Sequence, residues 1–360
     1  MSRAIVILSV AAVAVLGCGP TQIAHGSGGS GATSGGGSGG GGSGSGGGGG
    51  GAGGGPCDPN AIEVPGNNQD DDCNGQVDEI AQGCDGANGG KSDATSLAQA
   101  MELCDARFFK GASTNGPSDL RARIVAAKFG TAVNPLAGAN MAFLSTGLAV
   151  DKSSASFVEP QEGTDLVNAG TNPLPTLKGA SNCGQAGTVT NVQDYTELVL
   201  QLKAPANAQS FSFQFHFFSA EYPEYVCTRY NDEFLVIVQS SKTYTQPTNI
   251  SFDAKMNPIT VNSGFFIVCT NGATPQTMNC THPVSEIAGT GFDDDDGAGQ
   301  PIGGSTGWLT TTAPIAPGED VTLRFVIFDE GDGAYDSSAL IDNFKWGATS
   351  VTGPSTGPIG

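Results

Sequence analysis

"FSFQFHFFSAEYPEYVCTRYNDEF", residues 211–234, is the stretch on which the fold turns. Phe211, Phe213, Phe215 and Phe217 alternate with Ser212, Gln214 and His216. A period of two sends successive side chains to opposite faces of a strand, so the phenylalanines should line a core and His216 should face solvent. The alternation then stops. Tyr222, Tyr225 and Tyr230, half of the chain's six tyrosines, follow among Glu221, Glu224, Asp232 and Glu233, with Pro223 and Cys227 between them. This reads as a strand end, a constrained connection and the start of the next strand, "FLVIVQ".

The same pattern recurs outward. Leu198, Leu200 and Leu202 alternate in "ELVLQLKAP", as do Val321, Leu323, Phe325 and Ile327 in "DVTLRFVIFDE". "FLVIVQ" and "GFFIVCT" are apolar on both sides and read as strands covered on two faces. Short strands parted by Gly, Asn and Pro predict a mainly β domain over residues 93–350, an antiparallel β-sandwich of jelly-roll type. One helix is expected, over residues 93–110, where Leu97, Ala100, Met101, Cys104 and Phe108 recur at helical spacing and Asp93 or Ser96 can cap.

The beginning of the chain reads as export. Arg3 precedes the apolar run Ala4–Leu16, which is shorter than the roughly 20 residues a membrane-spanning helix needs. Val15-Leu16-Gly17-Cys18 resembles a lipobox, which implies a signal peptide over 1–17 and a lipid on Cys18 that makes the membrane a partner. Gly19 is not aspartate, and by that resemblance it favours the outer membrane. Residues 18–55 are a Gly/Ser linker with nothing to bury, a coil with a reach of roughly 30–35 Å. Residues 351–360 are expected to be a flexible tail.

Thirty-five acids against 15 Lys plus Arg leave a formal charge of −20. Such a surface repels nucleic acid and suits cations. Setting Cys18 aside from nine cysteines leaves an even number, as a disulfide framework in an exported chain requires. Nearest-neighbour pairing gives Cys57–Cys73, Cys84–Cys104, Cys183–Cys227 and Cys269–Cys280. There is no CxxC pair and only three histidines, which disfavours zinc.

Residues 56–92 form a small acidic module. Asp70, Asp72, Asn74 and Asp78 place oxygens at alternate positions, Gly75 permits a sharp turn, and Gln76 and Glu79 complete an oxygen-rich set. That is the start of an EF-hand loop, and hard oxygens suit Ca²⁺. The bidentate glutamate of an EF-hand is replaced by Ala81, so the loop is not an EF-hand. It resembles the Cys- and Asp-rich metal-binding motif of bacterial surface proteins from Cys57 to Glu79. Some such proteins are linked to copper, but without His or Met here calcium fits better.

In the larger part, "MAFLSTGLA" (141–149), "FFSAEYPEYVCTRYNDEF" (217–234), "NPITVNSGFF" (257–266), "TGFDDD" (290–295) and "GGSTGWLTTTAPIAPGEDVTLRFVIFDEGDGAYDSSALIDNFKW" (303–346) follow in order. Together they resemble the choice-of-anchor L domain of exported bacterial proteins. The resemblance implies surface display, a membrane or wall anchor usually at the C-terminus, and no established catalytic activity. Because "TSVTGPSTGPIG" anchors nothing, the lipid on Cys18 would take that task. The last strand, "SALIDNFKW", also resembles the I-D-N pattern of MAM and carbohydrate-binding modules, where the aspartate often serves structural calcium.

Carboxylates converging at a sheet end repel one another unless a cation joins them. Glu221, Asp232, Asp329, Asp332, Asp336 and Asp342 are therefore the expected Ca²⁺ ligands, and the alternative is that they cap turns. No organic cofactor is expected. A hydrolase is disfavoured, since the acids cluster near a turn and only Trp308 and Trp346 could stack a sugar. The function expected is binding or adhesion at the cell surface, with a glycan or protein ligand. A purely structural coat role is the alternative.

Overall fold

The structure, a computed structural model, describes residues 57–79, 83–177, 183, 190–270, 280–295 and 301–359. The signal peptide, Cys18 and the linker lie outside the described residues, as do Ala81 and Asp296. Residues from Gly51 to Gly360 form one compact unit.

Ten strands carry the architecture: β1 (Phe109–Asn115), β2 (Arg123–Ala126), β3 (Met141–Ser145), β4 (Asn191–Lys203), β5 (Ser210–Ser219), β6 (Glu233–Ser240), β7 (Gly304–Pro314), β8 (Asp320–Asp329), β9 (Ser337–Gly347) and β10 (Ser355–Pro358). The first sheet runs β1-β4-β8-β6, and the second runs β7-β5-β9-β3-β2 with β10 also on β7. These pairings are antiparallel, and the sheets face each other as a sandwich.

The alternating phenylalanines make the interface. Phe211, Phe213, Phe215 and Phe217 are all buried in one cluster with Leu198, Leu200, Leu323 and Phe325. Phe213 meets Phe325 edge-on at 5.1 Å, and Phe215 meets Phe234 at 5.1 Å, so rings of one sheet interlock with rings of the other. Each such buried side chain is worth roughly 1.5–3 kcal/mol.

Three expectations are corrected. His216 does not face water: it is 4% exposed, because Phe129, Ile287 and Phe292 build a second apolar cluster over the outer face of β5. Its ring stacks on Phe218, its Nε2 pairs with the Ser305 hydroxyl at 2.8 Å, and burial pushes its pKa down to about 3, so it is neutral. The helix expected over 93–110 holds only Ala94–Gln99, capped by Asp93. Glu102 turns the chain through positive φ, Cys104 is tied to Cys84, and Phe109–Asn115 pairs with β4 instead of continuing the helix. The tail is also no loose end, since Ser355–Pro358 adds an antiparallel strand to β7.

The four disulfides join Cys57 to Cys73, Cys84 to Cys104, Cys183 to Cys227 and Cys269 to Cys280, the nearest-neighbour set. The acidic module packs on the sandwich through Arg107, which contacts Asp72 at 3.0 Å and the Pro59 carbonyl at 2.9 Å, and through Asn207, which brackets the Ile62 backbone.

Candidate metal centre at the sandwich tip

At one end of the sandwich, strands of both sheets begin or finish together. Asp329 ends β8, Asp194 lies near the start of β4, and Asp232 precedes β6. From the other sheet, Glu221 follows β5 and Asp336 precedes β9. Register brings them to one level: Asp329 is opposite Gln193, Phe328 opposite Glu233, and Ser337 opposite Ser219. The Ser337 hydroxyl donates to Asp232 at 2.6 Å and bridges the two sheets.

All five carboxylates are buried, with exposures of 2% for Glu221, 0% for Asp194 and Asp232, 1% for Asp329 and 5% for Asp336. None is in a salt bridge among the described residues. Oδ1 of Asp232 and Oδ2 of Asp194 are buried without a hydrogen-bond partner among the described residues. The Thr146 oxygen accepts from the Ser337 amide at 2.9 Å and keeps its O–H for Asp329.

Burial is the first cause of every shift here. It pushes Glu221 up to about 10, with Asp232 adding repulsion, and Asp336 up to about 7. Asp194 rises to about 6. Asp232 and Asp329 stand well above the usual carboxylate range: after burial, Asp329 raises Asp232, while Asp336 and Asp194 raise Asp329 against a hydrogen bond from Asp232 that lowers it. Glu233 is fully buried next to Glu330 and is shifted upward too.

The surrounding backbone is shaped to admit these groups. A Cβ on Gly147 would lie 1.8 Å from Asp336 Oδ2, so the "STG" of "MAFLSTGLA" ends β3 with the one residue that leaves room for that carboxylate. Asp194 adopts positive φ, and its Oδ1 accepts from the Leu166 amide at 3.0 Å while Oδ2 stays free. The connection after β5 is fastened by Cys183–Cys227 and by Asn262, whose Oδ1 accepts from the Cys227 amide at 2.6 Å.

Four of the six expected tip ligands thus lie at one end of the sandwich, Glu221, Asp232, Asp329 and Asp336, less tightly drawn together than the oxygens of Glu63, Asp72 and Glu79 in the acidic module. Asp332 lies exposed at the rim, bonded to the Ala334 amide at 3.2 Å. Asp342 is not part of the cluster. It sits opposite Gln214 in mid-strand, five residues or about 17 Å beyond Ser337, where it accepts from the Leu136 and Ala137 amides and neighbours Glu102. Asp194 was not foreseen, because "NVQDYTEL" carries no motif that distinguishes it from any polar strand residue.

Outside the buried acids, Glu221 and Asp332 share a pocket of about 100 Å³ with Tyr225, Tyr230, Ala334 and Tyr335. Tyr225 packs edge-on against both other rings, 5.3 Å from Tyr230 and 5.1 Å from Tyr335.

The acidic module is arranged differently. Asp70 accepts from the Asn74 and Gly75 amides, Asp78 from those of Gly66, Asn67 and Asn68, and Asn74 from that of Gln76. Gln76 is exposed. Of the expected set only Asp72 and Glu79 converge, and they do so with Glu63, with ligand atoms all within 4.8 Å. Glu63 lies upstream of the EF-like register and has no place in it.

Among the described residues no helix is long and apolar enough to cross a membrane. Neither a curated protein nor a solved structure matches the chain. The family model of the Choice-of-anchor L domain matches residues 128–344, which includes every tip residue named above. The chain belongs to the choice-of-anchor L domain family, and that membership marks it as a cell-surface-associated protein.

Proposed function

We propose that this protein is a lipid-anchored surface module whose sandwich tip is ordered by calcium and serves in binding or adhesion at the cell envelope. The observation that carries the reading is Asp329. It is buried among four further carboxylates with no Lys or Arg partner, and only the Thr146 hydroxyl and the Asp232 carboxyl stand beside it as hydrogen-bonding groups. Burying one unpaired carboxylate costs several kcal/mol, and a divalent cation with a taste for hard oxygens removes that cost. Asp194, Asp232, Asp329, Asp336 and Glu221 are the residues that would hold Ca²⁺. Glu63, Asp72 and Glu79 would hold a second, weaker one, since Glu63 already serves three backbone amides.

The reading is of a binder and not a catalyst. The tip acids sit side by side at strand ends instead of facing each other across a cleft. A lipid on Cys18 and the glycine-rich linker would hold the domain off the outer membrane. The test is metal analysis of the purified protein, followed by thermal unfolding with Ca²⁺ and with EDTA. Bound calcium and a higher Tm with Ca²⁺ support the reading. A Tm unmoved by either sinks it.

A further inference from the structure

We propose that the pocket of Tyr225, Tyr230 and Tyr335 above Glu221 and Asp332 binds an organic cation, an ammonium or guanidinium group, at the tip of the domain. The inference rests on the reading of this end as a binding surface, and it names the ligand chemistry.

Three features select that chemistry. The walls are aromatic: Tyr225, packed edge-on against both Tyr230 and Tyr335, lines with them a space of about 100 Å³. Ring faces carry negative potential and attract cations within about 6 Å. The acid open to a ligand is Asp332, exposed at the rim; the buried Glu221 carboxyl closes the base and belongs to the calcium cluster, and no Lys or Arg lines the pocket. One rim carboxylate is too few for Ca²⁺, which takes about six to eight oxygens, whereas an alkylated cation gains from the rings as well.

The chain itself shows that the surface accepts such a group. The Arg229 guanidinium lies 4.7 Å above the Tyr230 ring and its Nη2 donates to the Tyr230 hydroxyl at 2.6 Å. Arg229 is not among the pocket's lining residues, so this contact leaves the pocket open. A formal charge of −20 raises the local concentration of cations and excludes anionic ligands from the same place.

The experiment titrates the full-length protein, saturated with Ca²⁺, with choline, with N-acetylarginine methylamide and with glucose, following tyrosine fluorescence and calorimetry. Saturable binding of either cation, without binding of glucose, is expected. The choline and arginine arms separate quaternary ammonium from guanidinium recognition. Asp332→Asn, an exposed and isosteric change, should weaken binding about fivefold, and Tyr230→Leu by a similar factor. Arg229→Ala should tighten it about twofold by removing a competing charge. Glucose binding as well as either cation, unchanged affinity in Asp332→Asn, or no saturation by either cation overturns the proposal. Choline binding to the EDTA-treated protein that is lost on saturation with Ca²⁺ at constant ionic strength also overturns it, because the pocket would then be a metal site. A calcium-insensitive Tm with choline binding intact would instead remove only the calcium reading.

Discussion

The acidic module and the sandwich tip are both rich in carboxylates, and they handle them in opposite ways. In the module most acids cap local backbone: Asp78 serves three amides, Glu63 serves three, and Asp70 serves two, while Glu79 meets the Asn74 side chain and leaves one oxygen buried without a partner among the described residues. These groups keep contact with water and form an Asx-turn scaffold closed by Cys57–Cys73. At the tip the acids are drawn into the interior by the ends of six strands, and several oxygens meet no donor. Acid density alone therefore says little about metal demand. What creates the demand is burial without partners.

The largest way to test that difference is pH. Glu221 has an ordinary pKa of 4.5 and is raised to about 10 in the fold, so the folded state holds a proton that the unfolded chain releases. Stability from this group is complete below 4.5 and falls as pH rises toward 10; for Glu221 alone the loss is about 3 kcal/mol by pH 7. Asp232, Asp329 and Asp336 shift in the same direction. The metal-free protein should thus lose roughly 10 °C or more in Tm between pH 5 and pH 8, and Ca²⁺ should restore more at pH 8 than at pH 5. A pH-independent gap between the EDTA and Ca²⁺ curves would contradict the placement of calcium on these acids.

Gly147→Ala is the next largest effect. The new methyl would occupy the position of the Asp336 carboxylate, and overpacking of this kind costs about 1–3 kcal/mol. The calcium-induced rise in Tm should shrink along with stability. Asp329→Asn should be gentler and of mixed sign. At pH 8 without metal it should stabilise the protein by about 2 kcal/mol, because an amide needs no ionisation, while the response to Ca²⁺ disappears. If Asn at 329 destabilises with and without calcium alike, the carboxylate acts through packing and not through a cation.

The alternation of Phe211 to Phe217 was enough to place β5 and the core, because strand period and burial are both local properties. The disulfides were legible for the same reason: short separations make nearest neighbours meet. His216 was misread because its cover comes from residues 129–133 and 284–292, far away in sequence. Asp342 was misread because "LIDN" within a strand gives no hint of which end of the sheet its aspartate serves. Asp194 could not be seen at all. Its importance comes from register with Asp329 across β4 and β8, a fact of pairing that no single segment contains.

The smallest effect is also the sharpest check on the module. Glu63→Gln keeps one carbonyl oxygen for the Asp71 and Asp72 amides but turns an NH₂ toward the Asp78 amide, donor against donor. Loss of one charge-assisted bond at a half-buried site should cost about 1 kcal/mol. Because Glu63 is also one of the three groups that would hold the second, weaker cation, the cost should be slightly larger with saturating Ca²⁺ than with EDTA, and the calcium-induced change in Tm should fall only a little below that of the wild type. Thermal unfolding of the two proteins side by side measures both quantities. A calcium response that falls mainly in Glu63→Gln, and stays whole in Asp329→Asn, would reverse the comparison and move the principal cation to the Glu63, Asp72 and Glu79 triangle.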